Sequence, residues 1–487
     1  MEWIFSVGFR VIRRTFCSYF FFLLSLNTIS AQDVVFSFPR EKGLIEQRFF
    51  YTPSDTLVVF YYQNRWEDVN RIGIFSMTHH ELTNWDLPEN AQWIGWTEQK
   101  GKWYAYYSVW EEQSEMVSFY ERQWTGKKFA EPRLLFQYPY VSANRTPRFS
   151  LRRRDQSMVF MLKELTYKTK EILSFRLKGE PGQWKFEKSA IWKIEHDWDD
   201  WELQRWTIDH NGDILLMTGE NRIFRTTEQR ASPPHSQIYY YQFDQQHLKE
   251  WDMLIGDKVV KEAYWHSYAD SLMALGMICS IAGSQSNKGW LRYVINTNRK
   301  EVIEQQYTLF EYPKGANEDW IGIEELAEDG NYLGLFGEHF HAEEMRTTDF
   351  QTGRIYSNWI FHYDEIYFQL MDSTLQLINE VSVIHKAQEG SDWEGVSFES
   401  IINQNGIEVR YNDLEENDPL RESKRAWMGR KSVISRIQWG WNEKYSGQRK
   451  VLRQETKKKQ GVFVPSKGNR GKYSIWWTIN DILICKD

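Results

Sequence analysis

The 487-residue chain has three cysteines and 12 prolines. So few exclude both a disulfide-stapled scaffold and a collagen-like fibre. It also lacks long hydrophobic runs: Phe16 to Leu26 covers 11 residues, where a membrane-spanning helix needs about 20. Helical periodicity is scarce before residue 410. No Gly-x-Ser-x-Gly elbow, phosphate-cradling glycine loop or His-Glu-x-x-His occurs, so the sequence signals of serine hydrolases, nucleotide binders and zincins are missing. Neither the aspartate box of sialidases nor a WD40 or kelch signature repeats. Apolar residues make up 41% and charged residues 26%, which excludes a disordered polyampholyte and a multi-span membrane protein.

The N-terminus has the form of an export signal over residues 1–31. Arg10, Arg13 and Arg14 are its basic region, Phe16 to Leu26 its apolar region, and Ser30-Ala31 a small-residue cleavage site. The expected location is therefore secreted or periplasmic, including the cell surface. Beyond residue 31 only Cys279 and Cys485 remain, read as unpaired thiols packed as small hydrophobes.

Aromatics are plentiful, with 24 Trp, 26 Tyr and 29 Phe. They fall in short runs rich in β-branched residues, such as Trp103 to Val109 and Ile238 to Phe243, which read as strands. One unit recurs: an apolar strand, a polar turn, a second apolar strand. The second strands begin at Leu57, Trp103, Met158, Ile214, Leu272, Tyr332 and Ile407, at spacings of 46, 55, 56, 58, 60 and 75 residues. The turns before them, among them Lys100-Gly101-Lys102, Asn211-Gly212-Asp213 and Asp329-Gly330-Asn331, carry residues that tolerate left-handed backbone. Each interval holds about four strands, which is one propeller blade. Gln92-Trp93-Ile94-Gly95 resembles Asp319-Trp320-Ile321-Gly322, and a Trp repeated at one blade position fills space between neighbouring blades. The fold expected is an all-β, seven-bladed β-propeller over residues 32–420, with six or eight blades as alternatives. Val34 to Phe38 is a candidate closing strand against the last blade.

Composition changes after residue 420. Residues 421–472 carry 16 Lys+Arg against three acids, a net of +13. Residues 421–487 are read as a basic C-terminal extension. Leu420, Trp427, Ile434, Ile437 and Trp441 would share one arc of an amphipathic helix suited to an anionic surface. Ile437, Trp439 and Trp441 also alternate as a strand, and Gly429 and Gly440 weaken a helix. The basic segment would otherwise dock on the acidic propeller. Residues 473–485 look like a final strand or strand pair.

Three constellations are candidates for chemistry. Asp197-Trp198-Asp199-Asp200-Trp201-Glu202 joins acids, able to act as general acid or base, to indoles able to stack on sugars. Asp197, Asp199, Asp200 and Glu338 are the catalytic candidates, and Trp198 and Trp201 the ligand-binding ones. On a regular strand His339, His341 and Glu343 would point to one side, enough for a divalent metal. Asp209 to Asp213 places oxygens at alternate positions as calcium loops do, but it sits in a hairpin turn and lacks the remaining ligands. The function expected is a non-catalytic exported binding propeller, its partner a glycan, an envelope protein or an anionic surface reached through residues 421–472. The alternative is a carbohydrate-active enzyme with its site at one channel mouth. No nucleic-acid partner is expected.

Overall fold

The structure is a computed structural model. It describes the strands and most joining turns between Ser30 and Lys486. Residues 1–29, the connections 64–70, 141–146, 163–170, 195–200, 221–234, 313–321, 391–397, 420–425, 428–431, 441–448 and 454–461, and several shorter ones lie outside the described residues. Every described element is a strand, and no described residue is helical.

Seven antiparallel sheets follow one another in chain order and form the blades of a β-propeller. Their second strands begin at Leu57, Lys102, Ser157, Ile214, Leu272, Tyr332 and Gly406, each within one residue of the start expected from the repeat. The turns explain the register. Lys100 and Gly101 both adopt left-handed backbone, with φ of 51° and 71°, which matches the strand twist of a two-residue hairpin. The first strand of each blade lies innermost. Those of blades 2, 3, 4 and 5 (Ala91–Gln99, Phe149–Arg154, Trp201–Ile208, Lys258–Ala269) neighbour one another around the channel.

The two ends of the chain build an eighth sheet. Val462–Val464, Tyr473–Trp477 and Asp481–Lys486 are joined at its outer edge by the N-terminal strand Asp33–Pro39, antiparallel to Asp481–Lys486. Seven blades is thus the correct count for residues 45–453. A strand is present where Val34 to Phe38 predicted one, within Asp33–Pro39, but it pairs with Asp481–Lys486 in the eighth sheet and not with the last blade. The eighth sheet neighbours blade 7 through Val462–Val464, and Ser466–Lys467 pairs with the innermost strand of blade 1, Ile45–Tyr51.

The boundary at residue 420 and the amphipathic helix need correction. Ser432–Trp439 is the third strand of blade 7, antiparallel to Gly406–Leu414, and Arg449–Arg453 is the fourth. Ile437 and Trp439 alternate with Arg436 and Gln438. As a strand they bury one face against blade 6 and pair the backbone of Gly406–Leu414, which would otherwise be an open edge.

Most of the core lies between blades. Between blades 2 and 3, Phe119 stacks on Phe136 at 4.3 Å and meets Phe149, Phe160 and Phe175 within 5.4 Å. Between blades 1 and 2, Trp85 contacts Trp93, Tyr107 and Phe129. Trp93 therefore fills the interblade position expected of the repeated Trp. Between blades 3 and 4, Trp192 stacks on Tyr241 at 5.1 Å. Cys279 is a free, buried thiol in the core between blades 4 and 5, and burial pushes its pKa up to about 12.

Candidate functional site: the rim of blade 6

Blade 6 departs from its neighbours. Its second and third strands, Tyr332–Thr348 and Ile355–Asp372, run 17 and 18 residues, whereas the innermost strand, Gly322–Glu328, begins opposite Glu338. The pairs from Phe340 with Tyr363 to Thr348 with Ile355 therefore extend past the innermost strand; Gln388–Gly390 still covers the outer side of Phe361 to Tyr363, and from Glu343 with Ile360 to Thr348 with Ile355 the two strands continue alone among the described residues as a ribbon. At about 3.4 Å per residue the two-stranded part projects roughly 17 Å.

A bulge marks the ribbon's root. Glu338 pairs with Ile366 and Phe340 with Tyr363, so His339 alone stands opposite both Asp364 and Glu365. Its Nδ1 lies 3.4 Å from a carboxylate oxygen of each. Their hydrogen bonds, Asp364 first, raise the His339 pKa to about 9 against the opposing effect of burial. His385 Nδ1 approaches Glu365 from the other side at 3.7 Å. Burial opposes ionisation of Glu365, but hydrogen bonds from His339 and His385 overcome it and hold the carboxyl at about 2.

The fourth strand is interrupted at the same level. Ser382–Ile384 pairs with one stretch of the third strand and Gln388–Gly390 with another. Lys386, in the gap, turns fully inward with its side chain 0% exposed. Its ammonium donates to Glu338 and, at 2.8 Å, to Gln388 Oε1, whose own amide donates to the Asn412 carbonyl of blade 7. Burial lowers the Lys386 pKa while Glu338 raises it. A further His–carboxylate group sits just beyond the bulge. His362 Nε2 is 3.6 Å from Glu343 and Nδ1 is 3.8 Å from Glu389.

Neither family models nor curated proteins match the chain. Solved structures do. An oligogalacturonate lyase from Vibrio parahaemolyticus is similar with a TM-score of 0.32 and 13% identity, covering 61% of this chain and 75% of that one. An apocarotenoid oxygenase from Synechocystis is similar with a TM-score of 0.33 and 6% identity over 70% of this chain and 74% of that one. Kuenenia stuttgartiensis hydrazine synthase gives 0.34 and 10% over 64% and 78%.

The candidates named from sequence are distributed as follows. Glu338 is 2% exposed and held by Lys386. His339 and Glu343 belong to different groups, the first with Asp364, Glu365 and His385, the second with His362. The bulge interrupts the alternation on which a shared face depends. His341 pairs in register with His362, and its side chain lies outside the described residues. Among the described residues, no three His, Cys, Asp or Glu side chains converge as metal ligands. Asp197, Trp198, Asp199 and Asp200 lie outside the described residues; Trp201 opens the innermost strand of blade 4, its side chain likewise undescribed. The Asp209 to Asp213 turn is closed by its own hydrogen bonds. Asp209 Oδ1 accepts from the amides of Asn211 and Asp213, and Oδ2 accepts from Tyr240. Sequence reading missed Asp364, Glu365, His385, Lys386 and Glu389. The available signal was polar residues interrupting apolar strands, at Tyr363-Asp364-Glu365-Ile366 and Ile384-His385-Lys386.

Proposed function

We propose that the protein is an exported, non-catalytic binding propeller that meets an envelope partner through the ribbon and rim of blade 6. The ribbon carries the reading. An isolated two-stranded hairpin is marginally stable in water, so one projecting past its sheet adds little to the fold and much to reach. The electrostatics of its root support the non-catalytic part. A general acid or base is most effective with a pKa near the working pH. His339 is held near 9 and Glu365 near 2, so each keeps one charge state through neutrality. The export signal read at residues 1–31 supports the location.

Two measurements test the proposal. A photo-crosslinking amino acid is placed at Thr347 or Arg354 on the ribbon, or at His247 on the outer strand of blade 4, in the producing cell. Adducts from the ribbon positions alone are the expected result; adducts from His247 alone would overturn the binding surface. Separately, the purified protein is incubated with neutral and acidic polysaccharides. Product formation that Glu365→Gln or Glu338→Gln abolishes would establish the enzyme alternative instead.

A further inference from the structure

Resting on that reading, the geometry points to the occupant of the ribbon's inner edge: we infer that it pairs antiparallel with the same edge of a second copy of this chain, about a twofold axis through Met345. Among the described residues, no strand pairs with the side of Phe340–Thr348 that faces away from Ile355–Asp372. Such a row of open backbone donors and acceptors is a template for another strand. It belongs to the inner of the two ribbon strands.

Charge selects both the occupant and the register. Along this edge run Glu343, Glu344, Met345, Arg346 and Thr347. A twofold axis perpendicular to the ribbon preserves its faces, and side chains alternate between faces. Only registers that centre one residue on its own copy are therefore allowed. Centring Glu343, Glu344 or Arg346 sets like charges directly opposite, which is destabilising. Centring Met345 sets Glu344 opposite Arg346 of the partner subunit and Arg346 opposite Glu344 of the partner subunit. Glu344 already accepts from Arg346 of its own chain at 2.8 and 3.1 Å, so the dimer closes a square of alternating charge. Met345, 48% exposed, becomes covered by its own copy. The two propellers then face each other, rim to rim, each ribbon reaching the other's root.

Sedimentation velocity of the purified protein over a range of concentrations tests this. A concentration-dependent dimer is expected. Arg346→Glu and Glu344→Arg should each raise the dissociation constant about tenfold or more, and the double swap Glu344→Arg/Arg346→Glu should restore it. Opposed residues lie about 4.5–5.5 Å apart between Cα atoms, within disulfide range. Met345→Cys should therefore form an intermolecular disulfide under mild oxidation. Glu343→Cys should not, because its copies stand four residues apart, about 14 Å. A monomer at every concentration without the Met345→Cys disulfide overturns the inference. So does a dimer indifferent to all three charge variants. Ribbon adducts to a different molecule from a monomeric protein would uphold the binding reading while removing this one. A dimer with adducts from His247 alone would do the reverse.

Discussion

Blades 1 to 5 and blades 6 to 7 solve one problem with different proportions of apolar and charged packing. Adjacent sheets must bury their faces against each other. In the first half they do so with rings and aliphatic chains, as around Phe119, Trp85 and Trp192. Buried charge is present there too: Arg176, 1% exposed, bonds Glu187 at 2.7 Å, Asp213 at 3.3 Å and Asp244. Trp184 Nε1 donates to Tyr106 Oη at 3.1 Å, and Tyr106 in turn donates to Glu121, which Arg133 grips at 2.8 and 3.1 Å. Blades 6 and 7 also meet through an apolar cluster around Phe336, Phe368 and Trp439, but they bury charge more densely. Lys386 lies on Glu338. Arg410, itself inaccessible, faces Glu399 at 3.6 Å and bonds Glu408, which also accepts from Arg436 at 2.8 Å. An aromatic core tolerates small shifts of its packing, whereas a buried ion network demands specific partners. The second half is therefore the more closely specified, and it is the half that carries the ribbon.

The largest difference between the halves should appear on truncation in the aromatic part. Phe119→Ala removes the centre of a five-ring cluster and should cost about 3–5 kcal/mol. The midpoint of urea unfolding should fall with an unchanged slope. No second apolar change nearby should recover this loss, because the missing contacts are volume. In blade 6 the pattern should differ. Lys386→Met leaves Glu338 buried and without its ammonium, and should cost about 3–4 kcal/mol. Adding Glu338→Gln removes the stranded charge and should recover more than half of that. A double variant as unstable as Lys386→Met alone would show that shape rather than charge governs the pair, and would collapse the distinction between the halves.

How far the sequence was legible follows the same division. The hairpins of blades 2 to 4 announce themselves because their turns take left-handed backbone, at Lys100 and Gly101, at Asp155 and at Gly212. Leu57, Ile214 and Leu272 begin their strands where the repeat places them. Blade 6 begins equally clearly at Tyr332, but its site does not read out. The partners of His339 come from residues 25 and more positions later, and a one-residue bulge sets which way each side chain points. Strict alternation assigned His339 and Glu343 to one face; the bulge divides them. Lys386 was illegible for another reason. A lysine in a polar-looking break reads as solvent-exposed, and only the position of Glu338 two strands away turns it inward. The basic stretch after residue 420 looked like a separate module because charge was averaged over a window. Arg436 individually answers Glu408 across blade 7, and its strand is part of the ring.

The smallest expected effect concerns pH, and it too separates the halves. Glu365 has its pKa lowered to about 2 from an ordinary value near 4.5, so its contribution to stability is present above about 4.5 and is lost as pH falls toward 2. His339 has its pKa raised to about 9 from near 6.5, so its contribution is complete below about 6.5 and is lost as pH rises through 9. The root of the ribbon should therefore be firmest between about pH 4.5 and 6.5 and loosen on either side. The Phe119 cluster holds no titrating group and should not follow this profile. Hydrogen exchange resolved by segment, measured from pH 4 to 9 after correction for intrinsic rates, should show protection at 338–340 and 363–366 falling above pH 6.5 while residues 117–120 hold steady. In Glu365→Gln the imidazolium loses a carboxylate, its pKa drops, and the loss of protection should begin at lower pH. If the two segments change in parallel across the whole range, the cluster is not what holds the rim.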